Sequence, residues 1–250
     1  MDLAFAALFL PPGLAVGSFL NVVAARVPLR RSIVHPASAC MQCGQEIRWH
    51  DNIPLLSYAL LRGRCRDCGV RIPFVSPAIE LVTALLVAGC VLAFGLTGKA
   101  AVAAFFCCVL VAVSAIDAEH RIIPNRIVVP AAAIVLVANT ALTLSPQWAI
   151  GALAASGFLF AAALAYPAGM GMGDVKLALL MGAALGKTVS VALMVGMLAA
   201  MVPGVYLLAR YGKAGRKMGV PFGPFLALGS VVALFFGHDL LQAYFSTFHH

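Results

Sequence analysis

The stretch that decides the fold runs Trp148-Ala-Ile-Gly-Ala-Leu-Ala-Ala-Ser-Gly-Phe-Leu-Phe-Ala-Ala-Ala-Leu-Ala-Tyr-Pro167, and the turn Gly169-Met170-Gly171-Met172-Gly173-Asp174-Val175-Lys176 follows it almost at once. About 20 apolar residues suffice for a helix to cross the hydrocarbon core of a bilayer, and this run contains no charge. The glycine pattern of the turn resembles a dinucleotide or phosphate loop. Those readings require a preceding strand and a βαβ context, which the apolar run excludes. Glycine admits backbone conformations closed to other residues and lets a second backbone approach. A carboxylate beside so much hydrocarbon is costly, so Asp174 is a candidate functional group.

Working outward, the rest of the chain has the same character. Of 250 residues, 62% are hydrophobic and only 10% charged, with a mean hydropathy of +0.99. Soluble domains are nearer 45–50% apolar and about 25% charged. The fold class is therefore an all-α polytopic membrane protein, and the lipid bilayer is its first partner. Eight apolar segments are expected: 3–25, 74–95, 99–117, 127–145, 148–168, 175–187, 188–210 and 221–246. The sixth, with 13 residues, rises only about 20 Å; a short helix tucked against its neighbours is tolerated when protein covers its ends.

The net charge of +8 does not mark a nucleic-acid protein, because the basic residues sit beside apolar spans and few aromatics interleave with them. Alternate connections are strongly unequal. Residues 26–71, the turn at 117–126, Lys176 and the loop carrying Arg210, Lys213, Arg216 and Lys217 hold fifteen of the seventeen Lys and Arg. The remaining connections hold Lys99 and Lys187. The positive-inside rule makes the first group cytoplasmic and both termini external. Asp2 stands where a signal peptide needs a basic residue, so no cleavable leader is expected. His249 and His250 read as a tag remnant.

This orientation supplies a partner for Asp174. The third span ends in Asp117 at the cytoplasmic face, and the sixth begins there with Asp174. Two carboxyls sharing a site do not both ionise easily, and they titrate as a pair. Such a pair can activate one water, one acid accepting its proton while the other donates to the carbonyl oxygen. The bland alternative is a pair of interfacial acids capping helices, since Asp at a helix N-terminus is ordinary. Lys176 is a candidate for tuning Asp174 or holding a substrate carboxylate, with snorkelling to the surface as its ordinary role. Pro11-Pro12, Pro130 and Pro203 are expected to kink or loosen their helices. Glu80 lies near enough to the cytoplasmic edge to pair with a basic residue.

The loop after the first span carries Cys40-Met-Gln-Cys43 and Cys65-Arg-Asp-Cys68. Four thiolates in two such hooks close a tetrahedral zinc site with no open position for catalysis. Gly44 and Gly69 follow the hooks where tight turns are needed. Structural zinc would fold a loop too small to have its own core. A redox pair or free thiols is the alternative. Cys90, Cys107 and Cys108 lie in spans and read as small packing residues.

Taken together the motifs resemble the type IV prepilin peptidases, GxGD-type membrane aspartic proteases. Gly17-Ser-Phe-Leu-Asn-Val-Val with Arg26 is similar to that family's first span. Asp51-Asn-Ile-Pro-Leu-Leu-Ser-Tyr58 and Arg62-Gly-Arg-Cys65 resemble its cytoplasmic loop. Asp117 with Ile123-Pro-Asn125, Gly171-Met-Gly-Asp174-Val-Lys176, and Pro221-Phe-Gly-Pro-Phe225 resemble its two catalytic motifs and its closing motif.

The resemblance implies an inner-membrane endopeptidase that removes the basic leader of prepilins or pseudopilins after a glycine, on the cytoplasmic side. With the four-cysteine loop present, it also implies N-methylation of the new amine by S-adenosylmethionine. Asp117 and Asp174 would be catalytic, Gly171, Gly173 and Lys176 would border the substrate, and Cys40, Cys43, Cys65 and Cys68 would hold zinc. Gly63 is a candidate for the methyl-donor site by analogy alone. The implied division is a first transmembrane helix over 1–25, a cytoplasmic zinc loop over 26–73 and a helical catalytic domain over 74–250.

Other functions compete. A GxGD intramembrane protease with different substrates shares the dyad but not the cysteine loop. A proton-coupled transporter predicts mid-span acids and repeat symmetry, which are missing. A zinc-stabilised scaffold without catalysis is the non-enzymatic reading. Oligomeric state is not legible.

Overall fold

The computed structural model describes residues 3–166, 171–212 and 220–248. Pro167, Gly169 and Met170 of the opening stretch lie outside the described residues, as do Asp2, Lys213, Arg216, Lys217, His249 and His250. Every long element is a helix: α1 Leu3–Ala7, α2 Leu10–Arg26, α3 Leu56–Leu60, α4 Val75–Phe94, α5 Gly98–His120, α6 Asn125–Thr143, α7 Gln147–Ala165, α8 Met172–Leu185, α9 Val189–Tyr211 and α10 Gly223–Phe248.

Among the described residues seven helical stretches are long and apolar enough to cross a membrane. The expected helix over 3–25 comes as two pieces, because the chain turns between Ala7 and Leu10. Pro11 and Pro12 do not kink α2. They occupy its first turn, where a missing N–H costs nothing. Pro130 and Pro203 do lie inside helices. The sixth stretch, Met172–Tyr211, is 40 residues long and holds two helices. A 3-10 turn at Gly186–Thr188, with Gly186 at φ +56°, separates α8 from α9. The fourteen residues of α8 rise about 21 Å, short of the roughly 30 Å core. Leu177, Leu180 and Met181 are completely buried, which makes α8 an internal helix clad by its neighbours.

The chain forms two compact units, Met1–Ala115 and Ile116–His250. In the first, α2 packs on α4. Gly13 and Gly17 lie four residues apart on α2, and a side chain on either would come within 2.7 Å of Ala84 Cα or 2.6 Å of Glu80 Cα. This is small-residue packing, in which backbone contact replaces a hydrophobic force that lipid does not supply between helices. Cys90 and Cys107 are buried with their sulfurs 3.9 Å apart, as packing residues would be. Glu80 does not find a basic partner: its Oε2 accepts the Leu55 N–H at 2.8 Å.

In the second unit α8 packs between α6 and α7. A side chain on Gly151 would meet the Gly186 carbonyl at 2.7 Å and the Gly182 carbonyl at 2.9 Å, so α7 and α8 also approach through glycine. Asn139 Nδ2 donates to the Ala183 carbonyl at 3.0 Å and ties α6 to the end of α8. Outward-facing positions such as Leu153, Leu164, Leu198 and Val202 are exposed apolar side chains, the surface a helix bundle presents to hydrocarbon.

Candidate active site and metal centre

Four helix ends converge within the second unit. α5 closes with Asp117 in its last turn, α6 opens at Asn125, α8 opens at Met172, and α10 opens at Gly223. A cavity of about 510 Å³ between them is lined by both Asp117 and Asp174, together with Arg121, Gly171, Lys176 and Phe222. Two acids 57 positions apart in the chain thus share one chamber.

Asp117 is buried, with 5% of its surface exposed. Its Oδ2 accepts the Gly223 N–H at 2.9 Å. That N–H belongs to the first residue of α10, one of the helix donors with no partner inside the helix, and the helix dipole there favours negative charge. Gly223 is what permits the approach: a Cβ on it would lie 2.8 Å from Asp117 Oδ2 and 3.2 Å from Cγ. Pro224 follows in the first turn of α10, where proline is well suited.

Asp174 is half-buried in the first turn of α8. Its Oδ2 accepts the Gly171 N–H at 3.3 Å, and its own N–H donates to the Gly171 carbonyl at 3.1 Å. The acid therefore does cap its helix, as the bland reading has it, but among the described residues only one carboxylate oxygen is used. The geometry accommodates both roles.

Lys176 Nζ donates to Asn125 Oδ1 at 2.8 Å, joining the first turn of α8 to that of α6. Gly171 is exposed and borders the cavity. Gly173 lines the cavity too, and Ile123, whose Cβ would be 2.8 Å from an added side chain, packs against it, so this glycine also seats α8 against the segment joining α5 to α6. The sequence alone assigns no role to Asn125 or to the Pro-Phe-Gly-Pro segment. Asn125 pairs with Lys176, and Gly223 holds Asp117. The signal available was a glycine inside a Pro-x-Gly-Pro helix start, where a missing side chain implies a close approach.

In the first unit the cysteine loop folds as two matching knuckles. The Cys40 N–H donates to the Gln45 carbonyl at 2.9 Å and the Gly44 N–H to the Cys40 carbonyl at 2.9 Å. The Cys65 N–H and Gly69 N–H make the same bonds to Val70 and Cys65, at 2.8 and 3.0 Å. Gly44 and Gly69 adopt φ +71° and +69°, the left-handed conformation that each turn requires.

The four sulfurs lie within 4.8 Å of one another, with Cys40 and Cys68 3.7 Å apart. A tetrahedral site with bonds of about 2.3 Å to sulfur has S···S edges of about 3.8 Å, so the cluster fits a metal ion. The thiols themselves point the same way. N–H donors from Cys43 and Gln42 bring the Cys40 thiol down to about 6. The Val70 N–H acts in the same sense on Cys68, but desolvation and the neighbouring thiols prevail and push it up to about 12. One sulfur readily sheds its proton while its neighbour resists, and a cation would resolve that crowding.

The loop between the knuckles is held by Arg66, whose Nε and Nη2 donate to the two oxygens of Asp51 at 2.8 and 2.6 Å. Gly63, at φ +68°, lies behind the ring of Tyr58, 2.9 Å from where a side chain would begin.

Both clusters fall within stretches of the chain that family models match. The model of the bacterial peptidase A24 N-terminal domain matches residues 12–94, which include the four cysteines. That of the type IV leader peptidase family matches residues 104–208, which include Asp117 and Asp174. The prepilin leader peptidase/N-methyltransferase of Bacillus subtilis is 35% identical over 236 residues, covering 93% of this chain and 94% of that protein. The protein of the same description from Pseudomonas aeruginosa is 34% identical over 282 residues, covering 97% and 94%. A third, from Myxococcus xanthus, is 42% identical over 182 residues, or 73% of this chain and 46% of its own length. No solved structure matches. The chain belongs to the prepilin leader peptidase/N-methyltransferase family.

Proposed function

We propose that this membrane enzyme cleaves prepilins or pseudopilins after a glycine at the cytoplasmic face of the bacterial inner membrane. It then N-methylates the exposed amine with S-adenosylmethionine. Asp117 and Asp174 are the catalytic acids, with residues 74–250 as the catalytic domain, 1–25 as the first span and 26–73 as a cytoplasmic zinc loop. The observation that carries the reading is the single cavity lined by two aspartates from different helices, one of them held by the N-terminus of a third.

Each aspartate has one oxygen engaged by a backbone N–H, from Gly223 or Gly171, and among the described residues the other has no hydrogen-bond partner and can handle a proton. The ionised acid takes a proton from water as the hydroxyl oxygen bonds to the scissile carbonyl carbon. The second acid gives its proton to the carbonyl oxygen. When the tetrahedral diol collapses, the C–N bond breaks and the amine leaves with a proton from the pair. Gly171 leaves the rim open for an extended backbone, and Lys176 fixes the start of α8 through Asn125. The fifteen Lys and Arg residues of one set of connections support a cytoplasmic position for this rim, where anionic lipid would also draw a basic leader.

Cys40, Cys43, Cys65 and Cys68 hold zinc, which here supplies cross-linking and no chemistry. S-adenosylmethionine, when bound, would supply an electrophilic methyl group for the new amine. The experiment is to incubate the purified full-length enzyme with a prepilin, with and without S-adenosylmethionine, and weigh the products. A leader-sized loss in both reactions and one added methyl only with donor is the expected result. An uncut prepilin contradicts the peptidase, and an unmethylated product contradicts the transferase.

A further inference from the structure

The short helix α3 turns an apolar side away from the protein. Its other side is secured: Ser57 is buried, accepts the Ile53 N–H at 3.1 Å and donates to the His50 carbonyl at 2.9 Å. Ser57, Tyr58 and Leu61 face the cavity between α3, the end of α2 and the start of α4. Leu56, Ala59 and Leu60 are exposed, Leu60 at 73%. Their i, i+3, i+4 spacing makes one stripe on a helix. Single exposed leucines are ordinary, but a stripe opposite a secured face needs a cover.

The depth of α3 identifies that cover. The Leu55 N–H donates to Glu80 Oε2 at 2.8 Å. Glu80 lies in the second turn of α4, a 20-residue apolar span that starts at Val75. That span is about 30 Å long, the thickness of the hydrocarbon core. Glu80 is about 7.5 Å along it, and helix side chains lean back toward the N-terminus. Its carboxylate therefore sits near the edge of the hydrocarbon and holds the start of α3 there. Phe74 and Val75, at the foot of α4, are also exposed apolar side chains, so the lipid-facing surface of the span continues down to this edge. An amphipathic helix at such a boundary buries its apolar face about 5–10 Å into the lipid.

The charges beside α3 fit the same surface. The Gly63 N–H donates to the Tyr58 carbonyl at 2.8 Å, which joins the second cysteine knuckle to α3. The Ile72 N–H donates to the Gly63 carbonyl and the Cys65 N–H to the Val70 carbonyl, both at 2.8 Å. Arg64 and Arg71 are thereby opposed across an antiparallel bridge as a non-hydrogen-bonded pair, the kind whose side chains come closest. Like charges so placed repel. Both are exposed, as is Arg62, and among the described residues none of the three makes an ion pair. An anionic phosphate beside them offsets the repulsion.

We propose that this loop docks on the bilayer surface, with Leu56, Ala59 and Leu60 among the acyl chains and Arg62, Arg64 and Arg71 on anionic headgroups. In the orientation read above this is the cytoplasmic leaflet. The docking depends on neither the peptidase nor the transferase reading.

The test places the photo-crosslinking residue benzoylphenylalanine at position 60 of the full-length protein, in vesicles of phosphatidylcholine and phosphatidylglycerol. The same label at Leu153, an exposed apolar position of α7, is the positive control. Lipid adducts identified by mass are expected at both positions, with phosphatidylglycerol enriched at position 60. Arg64→Gln combined with Arg71→Gln should lower that enrichment about fivefold or more, since one basic residue at an anionic surface contributes about that factor. Hydrogen exchange of the unlabelled protein guards against a label that disturbs the loop: amides of residues 56–64 should exchange more slowly in vesicles containing phosphatidylglycerol than in phosphatidylcholine alone. Adducts at position 60 to a second copy of the chain, or none there while Leu153 labels lipid, overturn the docking. So do equal exchange rates in the two vesicles, or an enrichment that the double variant leaves unchanged. Prepilin cleavage in the same vesicles reports separately on the peptidase.

Discussion

Replacing Gly223 with alanine puts a methyl group where the first residue of α10 meets Asp117. The new carbon would start 2.8 Å from Asp117 Oδ2 and 3.2 Å from both Cγ and Cβ, closer than such atoms tolerate. Asp117 is 5% exposed, so it has little room to turn aside, and the 2.9 Å bond from the Gly223 N–H must lengthen or break. A hydrogen bond to a charged group contributes about 1.5–3 kcal/mol. At about 1.4 kcal/mol per tenfold change in rate, the expected loss is roughly 10- to 100-fold.

The loss should fall on kcat, because the bond positions a reacting acid rather than the peptide. The assay is leader cleavage of a purified prepilin at saturating and limiting substrate. Gly157→Ala is the control: nothing lies within 4 Å of its added carbon, so it should cut at the wild-type rate. Adding Gly223→Ala to Asp117→Asn should cost nothing further, since both changes remove one function. Wild-type kcat in Gly223→Ala, with the protein correctly inserted, would refute the claim that α10 holds the acid.

Other perturbations have equally definite outcomes. Asn125→Ala removes the acceptor of the Lys176 ammonium and should slow cleavage about 3- to 10-fold, less than a buried bond to a charged group because this one is exposed to solvent; an unchanged rate detaches that pair from catalysis. Cys65→Ser should lower the zinc bound per chain, read by elemental analysis, and speed proteolysis of the loop, whereas unchanged metal content removes the zinc knuckle. Arg66 holds the Asp51 carboxyl below its ordinary range by hydrogen bond and charge. A depressed carboxyl stabilises the folded loop fully above the unfolded value of about 3.9, and that contribution fades as pH falls through the lower folded value. Arg66→Ala should therefore speed hydrogen exchange of the loop amides at pH 7, and the difference from wild type should shrink in acid below that range. Equal exchange at pH 7 contradicts the clamp.

The segments most legible in the sequence were those where hydrocarbon leaves little choice. The uncharged run before Pro167 could only be a helix, and α7 ends at Ala165, as length and composition require. The cysteine knuckles were equally readable, because a Cys-x-x-Cys-Gly turn has few ways to close, and Gly44 and Gly69 adopt the left-handed geometry the motif demands. The merging of the sixth and seventh spans into one stretch was not legible. Gly186 turns the chain without any polar interruption, and α8 draws its burial from α6 and α7 rather than from its own pattern.

Pairings across the chain were harder still. Asp117 with Gly223 and Lys176 with Asn125 are separated by 106 and 51 positions, and composition says nothing about contacts at such range. Glu80 was expected to seek a cation. It took a backbone N–H instead, because the strained turn at Leu55 delivers one to it. The pairing of the two aspartates came through only because charge bias fixed which helix ends share a face.

The most direct measurement is the cleavage rate of a purified prepilin by Asp117→Asn, Asp174→Asn and the double variant, each confirmed as membrane-inserted. Two acids handling one water predict that either single change abolishes leader removal and that the double change adds no further loss. Cleavage at the wild-type rate by either single variant would contradict the account and leave the pair as caps on their helices.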